Sequence, residues 1–154
     1  MKKVLMVLGV IFICLVLIGA VVFSGFYYFA RGLDKDAKMY IDGVVPIIIT
    51  SWNSEELINR ASSEFLQDIP ADKVESLFDT LSKQIGQLKE YKGATGKVKV
   101  KISPRGKPII LADYLAEAVF EKAPAKIKIQ VIRRNDKWRI VGFLVQLQTL
   151  SSGE

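Results

Sequence analysis

The spacing of apolar and polar residues changes character twice along this chain. From Val4 to Ala30 there is no alternation at all: 27 consecutive residues carry no charged side chain. As a helix rising about 1.5 Å per residue, that run would span roughly 40 Å, enough to cross a bilayer with some tilt.

From Ala37 the spacing becomes helical. Ala37, Tyr40, Ile41, Val44, Val45, Ile48, Ile49 and Trp52 recur every three or four residues, as one buried helix face would. Gly43 and Pro46 interrupt the stretch. An interior proline removes a backbone hydrogen bond and costs about 3 kcal/mol or more, so a kink is expected near Asp42 or Gly43. Ser54 reads as an N-cap with Glu55 and Glu56 in the first turn, which predicts a short helix from Ser54 to Arg60. A further helix is expected after Ile69, with Val74, Leu77, Phe78, Leu81 and Ile85 as its stripe and Gly86 as its stop.

From Leu88 the period is two. In Lys97-Val98-Lys99-Val100-Lys101-Ile102 the lysines point one way and the apolar residues the other, the pattern of a half-buried strand. The Gly93-Ala94-Thr95-Gly96 segment before it reads as a turn or strand break, and Pro104 to Pro108 turns the chain. A strand from about Ile109 to Lys122 puts Tyr114, Ala116, Ala118 and Phe120 on one face, with Leu115, Glu117, Val119 and Glu121 on the other. Ala123-Pro124 reverses the chain again, after which Ala125, Ile127, Ile129 and Val131 face inward. Asn135-Asp136 is a tight turn that tolerates positive φ. Trp138 to Leu147 returns as the last strand, and its stretch from Ile140 to Val145, apolar on both faces apart from Gly142, predicts a central position in the sheet.

Helices followed by a strand meander define an α+β class: a single N-terminal transmembrane helix, then three helices packed on a curved antiparallel sheet of about four strands. The expected division is a cytoplasmic N-terminus at 1–3, a transmembrane helix at 4–30, a short linker at 31–33, an α+β domain at 34–150 and a frayed tail at 151–154.

The flanks of the apolar run decide what kind of segment it is. A cleaved signal has an apolar stretch of only about 7–15 residues ending in a small-x-small site, whereas here Tyr28 stands three positions before a cut after Ala30. Cys14 follows Ile11-Phe12-Ile13, where a lipoprotein signal needs small residues. An uncleaved anchor is therefore expected. Lys2 and Lys3 precede the span, while Arg31, Lys35 and Lys38 are interleaved with Asp34 and Asp36, so the positive-inside rule favours a cytoplasmic N-terminus. In a Gram-negative host this is a single-pass inner-membrane protein with a periplasmic domain. Phe26, Tyr27, Tyr28 and Phe29 fall where the helix should leave the membrane, the depth that amphipathic rings prefer; packing on a partner span is the alternative.

Composition removes several chemistries. The 154 residues leave room for one domain, and half of them are apolar. The single cysteine lies inside the span and there is no histidine, which leaves no Ser-His or Cys-His relay, no His metal site and no disulfide in the outer domain. No phosphate-binding loop is present, and no cofactor or metal is expected.

Certain stretches carry a resemblance. Trp52 with the acidic helix start after it, the Leu77-Phe78…Leu81…Gln84-Ile85-Gly86 helix end, Tyr114 to Glu121, and Trp138-Arg139-Ile140-Val141-Gly142-Phe143 resemble the nuclear-transport-factor-2-like superfamily. They are most similar to its small membrane-anchored bacterial envelope members of uncharacterised function, over about 34–148. The resemblance implies a cone in which a curved sheet wraps around helices, often leaving a pocket. The superfamily includes isomerases, ligand binders and scaffold domains of secretion machines, so fold alone does not select a function.

Two classes of function follow. An enzyme or binder of a small apolar ligand would use a pocket lined by Tyr40, Tyr91, Tyr114 and Trp138, with Asp113 as the nearest candidate base; aromatics at this spacing also serve simply as core. Asp113 and Tyr114 are strand neighbours and point to opposite faces, which argues against a shared site. An interaction module would instead use Lys97, Lys99, Lys101, Lys126 and Lys128, all on outward strand positions of a chain with net charge +6, to meet anionic lipid or an acidic partner. Against this, Glu117 and Glu121 are placed to pair with those lysines across the sheet. The basic residues lack interleaved aromatics for stacking bases, so nucleic acid is not an expected partner. The expectation is a non-enzymatic accessory, assembly or stabilising subunit whose partners are the membrane and other subunits or a second copy. A scaffold of a type IV secretion-like system is the nearest alternative.

Overall fold

A computed structural model describes residues 1–148, apart from the Leu5 side chain. The expected tail at 151–154 and the last two residues of the expected domain lie outside the described residues. The elements in order are α1 (Lys2–Thr50), α2 (Ser54–Arg60), α3 (Ser63–Asp68), α4 (Ala71–Ile85), β1 (Leu88–Ile102), β2 (Pro108–Phe120), β3 (Pro124–Arg134) and β4 (Lys137–Leu147). The chain divides into two units, Met1–Lys35 and Asp36–Glu154.

The first unit is helical throughout, because nothing from Val4 to Ala30 breaks a helix or competes for its backbone. Every described side chain from Val4 to Phe29 is exposed, and the most apolar 18-residue window has a mean hydropathy of 3.2. This helix is long and apolar enough to cross a membrane. Residues 31–33, expected as a linker, are helical within α1.

The second unit is α+β. Its four strands form one antiparallel sheet in the order β1-β2-β3-β4. Ala37, Ile41, Val44, Val45, Ile48, Ile49 and Trp52 are buried as their spacing predicts. Ala116, Ala118, Ala125, Ile127, Ile129 and Val131 meet them from the sheet. α1 is continuous through Gly43 and Pro46, and the Thr50 hydroxyl donates to the Pro46 carbonyl. Trp52 turns the chain out of α1 with φ 51°. Its indole stacks on Phe120 at 5.1 Å and meets Phe78 edge-on at 5.6 Å.

Several expectations need correction. The N-cap of α2 is Asn53, whose side chain accepts from the Glu55 and Glu56 amides, and Ser54 is the first helical residue. An additional helix, α3, follows, capped by Ser62 accepting from the Phe65 amide at 3.2 Å. Leu77 is 48% exposed and belongs to no buried stripe, whereas Val74, Phe78, Leu81 and Ile85 are buried.

The strands hold two more. Gly93 to Gly96 neither turns nor breaks the chain; β1 passes straight through it, with register shifts between Leu88 and Glu90 and between Tyr91 and Gly93. Such bulges bend a strand, which curves this edge of the sheet. Gly96 lets β2 approach closely, because a Cβ there would lie 2.1 Å from the Asp113 carbonyl oxygen.

β4 is an edge strand, not a central one. Its register passes from Gln130↔Gly142 to Val131↔Ile140, leaving Val141 as the extra residue of a bulge. Trp138 and Ile140 therefore share the inward face with Phe143 and Val145, and the bulge between them mimics a strand apolar on both faces. The edge is partly covered: Ala61 bridges Ile140, and the Ser62 amide donates to the Ile140 carbonyl at 2.8 Å.

Candidate functional site

The four candidate pocket aromatics do not share one cavity. Tyr114 is 3% exposed inside the core on β2. Tyr91, on the bulged start of β1, donates its hydroxyl to Asp42 Oδ1 at 2.8 Å. Tyr40 and Trp138 do meet, in an open cleft of about 390 Å³ that Asp36, Met39, Arg133 and Asp136 complete. Arg133 lies 5.7 Å above the Trp138 ring and pairs with Asp36 at 3.6 Å and Asp136 at 3.5 Å. Burial pushes the Tyr40 phenol above its ordinary range, with Arg60 and Arg139 pulling the other way.

Asp113 lies on the outer face of the sheet. It accepts from Lys99 Nζ at 2.8 Å and from the Gln130 side-chain amide at 2.7 Å. The hydrogen bond from Lys99 holds its carboxyl below the ordinary value, outweighing the opposing effect of burial. A base in this position is weakened and faces away from Tyr114, its neighbour on β2.

The five lysines fall on one outward face, as their alternation predicts, but they are not equivalent. Lys126 pairs with Glu117, its direct register partner, at 3.6 Å. Lys99 is held by Asp113. Glu121, expected to neutralise a lysine, instead accepts from the Gln87 amide at 2.9 Å and so fastens the end of α4 to the end of β2. Lys97 and Lys101, together with Arg105 and Lys107 in the following loop, make no ion pair among the described residues.

Sequence reasoning passed over a well-connected carboxylate of the second unit, Asp42. It accepts from Lys38 Nζ at 2.7 Å, the Tyr91 hydroxyl, and the Ala94 amide at 2.9 Å, while Lys38 also donates to the Ala94 carbonyl at 2.6 Å. Burial raises the Asp42 carboxyl, but these donors outweigh it and hold the group below its ordinary value. Burial, then the adjacent carboxylate, drives the Tyr91 phenol upward. The cluster is a clasp from α1 to the bulge of β1. Its sequence signal is faint: Asp42 and Tyr91 are 49 residues apart, and only the placement of Asp42 beside the apolar stripe hints at it.

A second cleft, of about 640 Å³, opens between the start of α3 and the β3–β4 turn, with Arg134, Lys137 and Arg139 on its walls. Arg134 pairs with Glu64 at 2.6 Å, and Arg139 donates to the Asn59 carbonyl at 2.9 Å. Hydrogen bonding from its own amide and from Arg134 lowers the Glu64 carboxyl to about 2. Two of the three cations are thus committed to holding α2 and α3 against the sheet.

In the first unit Phe26, Tyr27, Tyr28 and Phe29 are all exposed. The Arg31 guanidinium lies 4.4 Å over the Tyr27 ring, so that the aromatic cluster is followed by a cation. No protein-family model matches the chain, and no curated protein is found to match it.

Proposed function

We propose that this is a single-pass membrane protein, N-terminus in the cytoplasm, whose α+β unit lies outside the membrane as an accessory, assembly or stabilising subunit of a larger envelope complex. The observation that carries the reading is the uncharged stretch of α1, with every described side chain from Val4 to Phe29 exposed. Burying such a surface is favourable by about 25 cal/mol per Å², and lipid or neighbouring spans are the media that supply it.

The second unit supports a binding role over a catalytic one. Asp42, Asp113, Glu64 and Glu117 are each engaged by cations or amides in structural contacts. A curved sheet packed on helices is also what the nuclear-transport-factor-2-like resemblance leads one to expect, and non-enzymatic domains of that shape serve as scaffolds.

The test is purification from native membranes in mild detergent, followed by sizing and mass spectrometry. A stoichiometric assembly with other membrane proteins is expected. Elution as a lone chain or a simple homo-oligomer would overturn the accessory-subunit reading.

A further inference from the structure

The core-facing row of β1 and β2 does not stay buried along its length. Ala94 and Ala112 are fully covered, but beyond them Val100 is 51% and Ile102 78% exposed, although alternation assigns both to the inner face. Val100 pairs with Ile110 and Ile102 with Pro108, so an apolar strip of both strands runs out into solvent on one face of the hairpin tip.

The same tip is strongly cationic. From Lys97 to Ala112 there are five basic residues, Lys97, Lys99, Lys101, Arg105 and Lys107, and no acidic one. Of these, Lys99 is held by Asp113. The loop at the end is ordered by its own hydrogen bonds: the Ser103 amide donates to the Lys107 carbonyl at 2.9 Å, and the Gly106 amide, at φ +75°, donates to the Ser103 carbonyl at 2.8 Å. A rigid loop loses little conformational freedom on binding.

The tip lies at the end of the α+β unit where that unit begins. Ile110 pairs with Arg133, which meets Asp36, the first residue of the unit. Two further ladder pairs, Lys101↔Ile109 and Ile102↔Pro108, and the whole 103–107 loop project past that row, about 7 Å of strand plus the loop. In the sequence Phe29 stands only seven residues before Asp36, the first residue of the unit.

From this we infer that the β1–β2 hairpin tip rests on anionic lipid head groups, with Val100 and Ile102 entering the interface and Lys101, Arg105 and Lys107 meeting the phosphates. A tip with apolar side chains on one face and basic ones on the other face and in its loop can meet an interface end-on, and the absence of acid from Lys97 to Ala112 makes it complementary to a negative leaflet. The inference rests on the first helix being a membrane anchor.

The test uses the full chain in vesicles, with Cys14→Ser as background and an environment-sensitive fluorophore on Ile102→Cys or, as a control on α4, on Asp72→Cys. In phosphatidylcholine vesicles containing phosphatidylglycerol, the probe at 102 is expected to shift to the blue. Spin-labelled lipid should quench it several-fold more than the probe at 72. Replacing Lys101, Arg105 and Lys107 by Gln should weaken tip partitioning by about fivefold for each charge removed, and pure phosphatidylcholine should act in the same direction.

A probe at 102 as water-exposed as the one at 72 in both lipids overturns the inference. So does one shielded in native membranes but not in vesicles, which would assign the tip to a protein partner. A chain that does not float with vesicles at all overturns the anchor reading itself, a failure visible before any fluorescence is read.

Discussion

The Tyr91 hydroxyl reaches Asp42 across 49 residues of sequence and donates to its carboxylate at 2.8 Å. That contact, with Lys38 and the Ala94 amide on the same carboxylate, fastens α1 to the bulged edge of the sheet.

Asp42→Asn keeps the shape and removes the charge. A loss of about 1–2 kcal/mol in stability of the α+β unit is expected, at the lower end for charged hydrogen bonds because the side chain is 31% exposed. The folded-state carboxyl lies below 3.8, so its contribution is present above that pH and is lost as pH falls through the folded value. Urea titrations at several pH values should therefore show a shallower acid limb in the variant. An unchanged limb would mean that the Asp42 carboxylate does not stabilise the fold.

Tyr91→Phe acts at the other end of the scale. The folded phenol is raised above 10.0, so the native state keeps a proton that the unfolded chain releases. Stability is then full below about pH 10 and declines above it. The Phe variant should lose part of that alkaline decline in the same titration.

Trp52→Phe tests the buried indole. Its Nε1–H donates to the Gly86 carbonyl at 2.8 Å, joining the exit of α1 to the end of α4. The ring stack survives the substitution but a buried carbonyl loses its partner, so a loss of about 1–3 kcal/mol is expected by chemical denaturation.

Gly96→Ala should be among the most damaging small changes. The added methyl would meet the backbone of Asp113 and Tyr114, which cannot rotate away as a side chain would. About 1–3 kcal/mol or more is expected, read as a lowered Tm. Ile102→Ser, in contrast, should leave stability within about 0.5 kcal/mol of wild type, because Ile102 is exposed.

Much of this architecture was legible in the chain. The spacing of Ile41, Val45, Ile48 and Ile49 and the alternation of Tyr114, Ala116, Ala118 and Phe120 specify which faces are buried, since side-chain direction is periodic in both elements. What escaped were features that periodicity cannot carry. α3 is six residues long, too short for a stripe, and only Ser62 ahead of Glu64 and Phe65 marks it. The bulge at Val141 shifts the alternation by one and so disguises an edge strand as a central one. Val100 and Ile102 alternate like core residues because alternation reports a face, not whether anything covers it. The candidate aromatics were individually sound as core or partly buried residues, but whether they share a cavity depends on distances between elements, which no local pattern encodes.

We propose that the first helix anchors the chain and holds the α+β unit outside the cytoplasmic membrane. The direct measurement is to wash host membranes with alkaline carbonate and then treat intact spheroplasts with protease, following a C-terminal tag. An anchored chain of this orientation stays in the membrane pellet, and its tag is cleaved from outside. A chain released into the wash, or a tag protected until the spheroplasts are lysed, would contradict it.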